Sequence, residues 1–275
     1  MGFKDMVKDK VFILSVSIIV GIILYTFIYP AYFTKMDPTK WFTHPLRIPP
    51  NPQYLFGTTL TGQNLADLIP VALRNSLMIG LTTAITSTII AILLSALVTL
   101  LRRGVSGIMV FIDTMCTIPP LPVLIVMIFT WREYITMPTI GLILSIFGWA
   151  WPSRALISIL SSLKGRTFVY TSYLSGLPSY MIMIKEFMPY LIRYILVGFI
   201  NLMLWGIGME TTVAMFGAMK MEIPTIGTTL YWALRYQAFL LGLWWWYLIP
   251  VTFLVALVLP LYIIGMKIDE YLITA

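Results

Sequence analysis

Residues 75–101 read NSLMIGLTTAITSTIIAILLSALVTLL, an apolar run without one charged side chain. A helix that crosses a bilayer needs about 20 mostly apolar residues, so this stretch predicts a transmembrane helix. Working outward, five more stretches pass the same test: Val11–Pro30, Val105–Thr130 with Asp113, Tyr134–Ser153 running up to Arg154, Tyr194–Met219 with Glu210, and Tyr236–Met266. Pro250 and Pro260 interrupt the last of these. Neighbouring groups in a membrane can satisfy the carbonyls that a proline frees, so both are tolerable and a kink is expected at either. The 275 residues are 59% hydrophobic and 11% charged, where a soluble domain has about 45–50% and about 25%. The expected fold class is all-α, a polytopic membrane protein with about six transmembrane helices.

The distribution of charge orients these helices. Lys4, Lys8 and Lys10 precede the first apolar run, as in a signal peptide. That run is longer than a signal core of about 7–15 residues and ends in no clear cleavage site, so it reads as a retained helix. Six crossings return both termini to one side. If that side is the cytoplasm, the inner segments hold eleven of the 18 Lys and Arg residues, the bias of the positive-inside rule. The net charge of +7 and pI near 9.4 then reflect orientation and not a nucleic-acid partner. The expected organisation is a cytoplasmic N-terminus over 1–10, a first helix over 11–30, an external loop over 31–69, and a five-helix core over 70–275. The external loop is stiffened by Pro38, Pro45, Pro49, Pro50 and Pro52, and the core carries a cytoplasmic connection at about 159–190.

Little in the chain is equipped for catalysis. There is no G-x-x-x-x-G-K-[ST] to cradle ATP phosphates and no H-E-x-x-H to hold zinc. The single histidine, His44, lies in the external loop, too far from any membrane serine to act as its base. No enzymatic activity and no cofactor are expected in this chain. Three charges fall in or beside apolar helices: Asp113, Arg154 and Glu210. An unpaired charge in hydrocarbon costs several kcal/mol. Asp113 and Arg154 lie at similar depth and are expected to pair. Glu210, near the outer end of its helix, either faces a path or sits at the interface. Cys116 reads as a buried structural thiol, and Trp244–Trp245–Trp246–Tyr247 as an interfacial aromatic belt.

Residues 164–189, KGRTFVYTSYLSGLPSYMIMIKEFMP, resemble the coupling-loop motif of ABC importer permeases. In that motif Glu-Ala-Ala is followed four residues later by glycine, and an isoleucine-x-leucine-proline ending comes about ten residues after it. Tyr170, Thr171 and Ser172 stand in the Glu-Ala-Ala places, Gly176 matches the glycine, and Met188-Pro189 match the end. More motifs resemble the dipeptide/oligopeptide branch. Phe56-Gly57-Thr58 with Gly62 is similar to its F-G-T-D-x-x-G-R-D, with Gln63 and Asn64 replacing Arg-Asp. Arg74-Asn75-Ser76-Leu77 is similar to A-R-x-S-L, Asp113 to Pro119 to D-x-x-x-x-I-P, and Trp149 with Arg154 to W-x-x-x-x-R. Glu210 with Gly217 resembles E-A-S-L-S-F-L-G, and Pro224 with Gly227 resembles P-x-W-G, with Ile226 in the tryptophan place. Order and spacing agree from about residue 54 to the end, and the long first loop resembles the C-type subunit of that family.

The resemblance implies a type I ABC importer permease fold. It also implies a second homologous permease subunit as partner, with the translocation path between the two. Two ATPase subunits would bind ATP and Mg on the cytoplasmic side, and an extracytoplasmic solute-binding protein would deliver substrate. A coupling helix at about Phe168–Ser179 would dock on one ATPase through Phe168, Val169, Tyr170, Thr171, Ser172, Gly176 and Leu177, with Pro189 opening the fifth helix. The family carries peptides, nickel and, in some archaea, oligosaccharides; peptides are the first expectation and oligosaccharides the second. The location implied is the cytoplasmic membrane of a bacterium or archaeon. An ion-coupled secondary transporter is the alternative of another class, and it calls for inverted repeats and ionisable groups at mid-membrane.

Overall fold

The computed structural model describes residues 6–34, 36–101 and 105–273. Ten helices are named along these residues: α1 Lys10–Tyr32, α2 Leu65–Leu100, α3 Val105–Thr117, α4 Pro120–Trp131, α5 Met137–Gly148, α6 Ala150–Lys164, α7 Thr167–Leu174, α8 Ser179–Met215, α9 Ile226–Arg235 and α10 Trp244–Ile273. Helices α1, α2, α8 and α10 are each long and apolar enough to cross a membrane, and the crossings number six where the bent pairs α3–α4 and α5–α6 each count as one span. The chain is an integral membrane protein.

Proline chemistry places both breaks. The third span, expected as one helix over Val105–Thr130, turns by 82° between α3 and α4. Pro119 and Pro120 have no N–H to continue the ladder, and Pro119 takes an extended conformation before Pro120 opens α4. The fourth span, expected to end at Ser153, bends by 47° at Trp149 and continues to Lys164. Pro152 cannot donate to the carbonyl of Gly148, four residues back, so the ladder breaks there. Past the break, Leu156, Ile157, Leu160 and Leu163 keep one face buried and carry the helix beyond Arg154. Arg154 therefore lies inside α6 and not at its inner end.

Other prolines are absorbed. Pro70 frees the carbonyl of Ala66, and the Tyr25 hydroxyl of α1 donates to that oxygen at 3.0 Å. A π-turn at Met183–Phe187 widens α8 just ahead of Pro189, so the proline is passed over and the helix starts at Ser179, ten residues before it. Helix α10 runs unbroken through Pro250 and Pro260.

Helix α2 is the axis of the bundle, packed against α5, α6 and α8, with α1 and α10 on its other side. It begins ten residues before the expected Asn75, because Leu65, Ala66, Leu68, Ile69, Ala72 and Leu73 are buried beneath an outer cap. That cap consists of the loop before α2, helix α9 and the turn before α10. Its core joins Leu65 and Leu68 to Ala233, Trp245 and Trp246. Two members of the expected aromatic belt, Trp245 and Trp246, are thus interior, and the Trp245 indole N–H donates to the Thr58 carbonyl at 3.0 Å. Gly57 turns the chain there at φ +74°, and a Cβ on it would lie 2.7 Å from both Ile48 O and Trp245 Cδ1.

The start of α1 and the end of α10 meet at the opposite end of the bundle. Asp9 caps α1 by accepting from the N–H groups of Val11 and Phe12 at 2.8 and 3.2 Å. Its other oxygen lies 3.0 Å from Lys267 Nζ and accepts from the Tyr271 hydroxyl at 3.1 Å. The Lys267 ammonium, above all, holds the Asp9 carboxyl down from 3.8 to about 2. A folded value below the unfolded one means this tie is fully present above the unfolded pKa and is lost as pH falls through the folded one. Thermal unfolding of the protein in detergent between pH 5 and 2 is expected to lose stability that Asp9→Asn, which keeps the cap, never had. Parallel curves for the two proteins would refute this.

Candidate functional site

At the end of the bundle where α1 starts and α10 finishes, α6 passes into α7 through Gly165-Arg166, and α7 leads by Ser175-Gly176-Leu177-Pro178 into α8. Gly176 has φ +78° and no heavy atom within 4 Å of a Cβ built on it. It serves the turn, which other residues would adopt only with strain. Helix α7 covers Thr167–Leu174, so it ends five residues before the expected limit at Ser179.

This segment has two faces. Val169 is fully buried with Leu160, Leu163, Ile182, Phe187 and Leu191, and Phe168 and Leu177 pack against the same cluster. Phe168 stacks on Tyr190 with ring centroids 5.5 Å apart. The Ser172 hydroxyl donates to Glu186 Oε1 at 3.1 Å and clamps α7 to the π-turn of α8. The opposite face is open: Tyr170 and Leu174 are 65% and 73% exposed, and Tyr180 and Ile184 at the start of α8 are exposed as well. Exposed apolar side chains grouped on a short rigid element mark a surface made for contact. Of the eight residues expected here, Val169, Phe168, Ser172 and Leu177 hold the segment down, while Tyr170, Thr171 and Gly176 are exposed and Pro189 lies within α8.

The three intramembrane charges separate into a pair and a single buried acid. Arg154 Nη1 lies 3.0 Å from Asp113 Oδ1, the expected pair, with each side chain about half exposed. A charge-swapped double variant, Asp113→Arg with Arg154→Asp, is expected to accumulate in membranes near the wild-type level, with each single change well below it. Equal accumulation of all four proteins would show that the pair contributes nothing.

Glu210 departs from expectation. It is fully buried, so it faces neither a path nor the interface. The Ser76 hydroxyl of α2 donates to Glu210 Oε2 at 2.9 Å, and the Ile226 N–H that opens α9 donates to Ser76 Oγ at 3.1 Å. The Asn75 amide donates to the Pro224 carbonyl at 2.7 Å. Thr225 and Thr228 form a reciprocal cap on α9. Gly227 lies so close that a Cβ would sit 2.8 Å from Thr211 Cα and 2.9 Å from Glu210 Oε1. Asn75-Ser76 thus meets Glu210 and Pro224–Gly227, 134 to 150 residues further along the chain, in one buried node. Their union is not visible along the chain.

This helical membrane protein of up to six crossings thus carries a clamped, exposed helix at one end and a polar lock joining α2, α8 and α9. The chain belongs to the family described as the binding-protein-dependent transport system inner membrane component, whose profile matches residues 89–274. It is 26% identical over 274 residues to the oligopeptide transport system permease protein AmiD of Streptococcus pneumoniae, covering 98% of this chain and 87% of that one. It is 22% identical over 262 residues to the oligopeptide transport system permease proteins OppC of Lactococcus lactis subsp. cremoris and subsp. lactis, covering 93% of this chain and 87% of each. The ABC importer resemblance is correct, and the ion-coupled secondary transporter is set aside.

Proposed function

We propose that this chain is one of two permease subunits of an ATP-driven importer of short peptides in the cytoplasmic membrane of its cell, with both termini cytoplasmic. The exposed face of α7, with Tyr170 and Leu174, supports this reading most directly. A helix held from behind by Val169 and the Ser172–Glu186 hydrogen bond can transmit a push without yielding. In this reading one of two partner ATPase subunits, which bind ATP and Mg, receives that face. Their closure moves the bundle between inward- and outward-open forms. The second permease completes the path, and an extracytoplasmic solute-binding protein delivers peptide to the outer cap. Peptides are favoured over oligosaccharides because the relatives above are named as oligopeptide permeases.

The test is recovery of the tagged chain from native membranes in mild detergent, with mass spectrometry of its companions. A second permease, ATPase subunits and a solute-binding protein are expected, and the last is then offered peptides and sugars. Recovery of the chain alone, where other ABC complexes stay intact, would overturn the assembly. A binding protein that takes sugars and no peptide would overturn the substrate.

A further inference from the structure

Helices α2, α3, α5, α6 and α8 border a cavity of about 550 Å³, with Asp269 of α10 at one edge. That volume falls in the range of ligand pockets, about 300–1,000 Å³. Its wall is chiefly apolar and aromatic, supplied by Met115, Phe147, Trp151, Leu202 and Trp205. Thr88, Asn201, Cys116, Tyr194 and Asp269 add polar atoms to the lining, and the first two are without partners among the described residues. The Thr88 hydroxyl is buried and has no hydrogen-bond partner among the described residues. The Asn201 side chain, exposed near the middle of α8, makes none among the described residues.

The charges around the cavity show what it opens to. Arg154 adjoins the lining residue Ala155, and its partner Asp113 stands three residues before the lining Cys116. Both side chains are nearly half exposed. Asp269, itself in the lining, lies 2.8 Å from Arg193 Nη2. Ion pairs and an unpaired amide on a lipid-facing surface are heavily penalised, so such groups face a wet cavity or a protein partner. Such groups suit a cavity that is wet or covered by protein better than one that faces lipid.

We propose that this cavity is a side-chain pocket on the translocation path: it takes an aliphatic or aromatic side chain of the passing peptide, while Thr88 and Asn201 offer hydrogen bonds to the peptide backbone. The inference rests on the peptide-importer reading. Apolar walls with a few convergent polar groups fit a peptide better than a polyhydroxylated sugar.

Gly198 allows a specific test. It lines the cavity, and a Cβ on it meets nothing within 4 Å. Gly198→Phe therefore grows a ring into open space, and Gly198→Ala serves as control. Uptake is measured in membranes that hold the chain with its native partners, for triglycine and for a phenylalanine-bearing tripeptide. Gly198→Phe is expected to lower uptake of the phenylalanine peptide roughly tenfold, the scale of one hydrophobic subsite, and to spare triglycine. On the wild-type chain, a water-soluble methanethiosulfonate is expected to label Cys116, read by mass spectrometry, and the phenylalanine peptide is expected to slow it. This second readout decides the matter if Gly198→Phe does not assemble. Equal effects on both peptides, or labelling of Cys116 that peptide leaves unchanged, would overturn the pocket alone. No uptake of any peptide by the wild-type assembly would overturn the importer reading, and the pocket with it.

Discussion

Gly227→Val is expected to remove nearly all of the folded chain from the membrane. The hydrogen at this position is the only side chain that the junction of α8 and α9 admits. A Cβ there would lie 2.7 Å from Ala214 Cβ and 2.8 Å from Thr211 Cα as well as against the Glu210 carboxyl. Ala214, Thr211 and Glu210 are themselves buried, so none can swing aside. Forcing even small excess volume into a packed core costs about 1–3 kcal/mol, and valine adds it against backbone and a buried acid at once. A cost of about 3 kcal/mol or more is a large part of the roughly 5–15 kcal/mol that holds a typical protein folded. The comparison is Gly208→Ala, on the same helix with nothing within 4 Å of its Cβ, which is expected to be neutral or slightly stabilising. Accumulation in membranes and Tm in detergent measure both. A Gly227→Val chain as abundant and as stable as Gly208→Ala would mean that the node is not tightly packed.

Tyr170→Ala combined with Leu174→Ala is expected to do the reverse: to leave the fold intact and abolish transport. Both side chains are largely exposed in this structure, so their loss leaves no cavity. In the proposed assembly they fill a groove on the ATPase. Central apolar anchors of an interface each contribute about 2 kcal/mol or more, and about 1.4 kcal/mol is a tenfold change in affinity. Two such losses weaken docking by several hundredfold or more, roughly. Recovery of ATPase with the tagged double variant, set against its Tm, separates this from misfolding. Wild-type recovery with wild-type uptake would show that α7 presents its contact through other residues. Ser172→Ala is the instructive companion, since it frees α7 from Glu186 without touching the exposed face.

Legibility along the chain follows how local the cause is. The unbroken charge-free runs announced α1, α2 and α10 because membrane helices satisfy their own backbone. Apolarity alone could not show the bends: Pro119-Pro120 was visible but read as part of an I-P motif, and the break at Gly148 is caused by Pro152, four residues away. The true start of α2 at Leu65 was hidden by Asp67 and Arg74, which cut the apolar run although the helix continues under the cap. Glu210 was recognisable as a charge in a span, but its burial depends on Ser76 and Gly227, remote in sequence. The Asp113–Arg154 pair was foreseeable because both residues lie on neighbouring spans at one depth. The inner helix was legible mainly through resemblance, since Tyr170-Thr171-Ser172 has little of the usual motif chemistry.

Helix α2 supplies a buried side chain to every apolar cluster of the bundle: Leu65 and Leu68 to the outer cap, Ile69 and Leu73, Ile79, Ala91, and Val98 near its last turn. Its 36 residues span about 54 Å at about 1.5 Å each. A rod of that length, rocked about 5° on its midpoint, carries its two ends about 2 Å in opposite directions. The same beam is bolted to Val169's cluster below and to Trp245's above, so a small stroke at one face arrives at the other with its sign inverted. The outer rim would open as the inner rim closes, with no joint needed along the way.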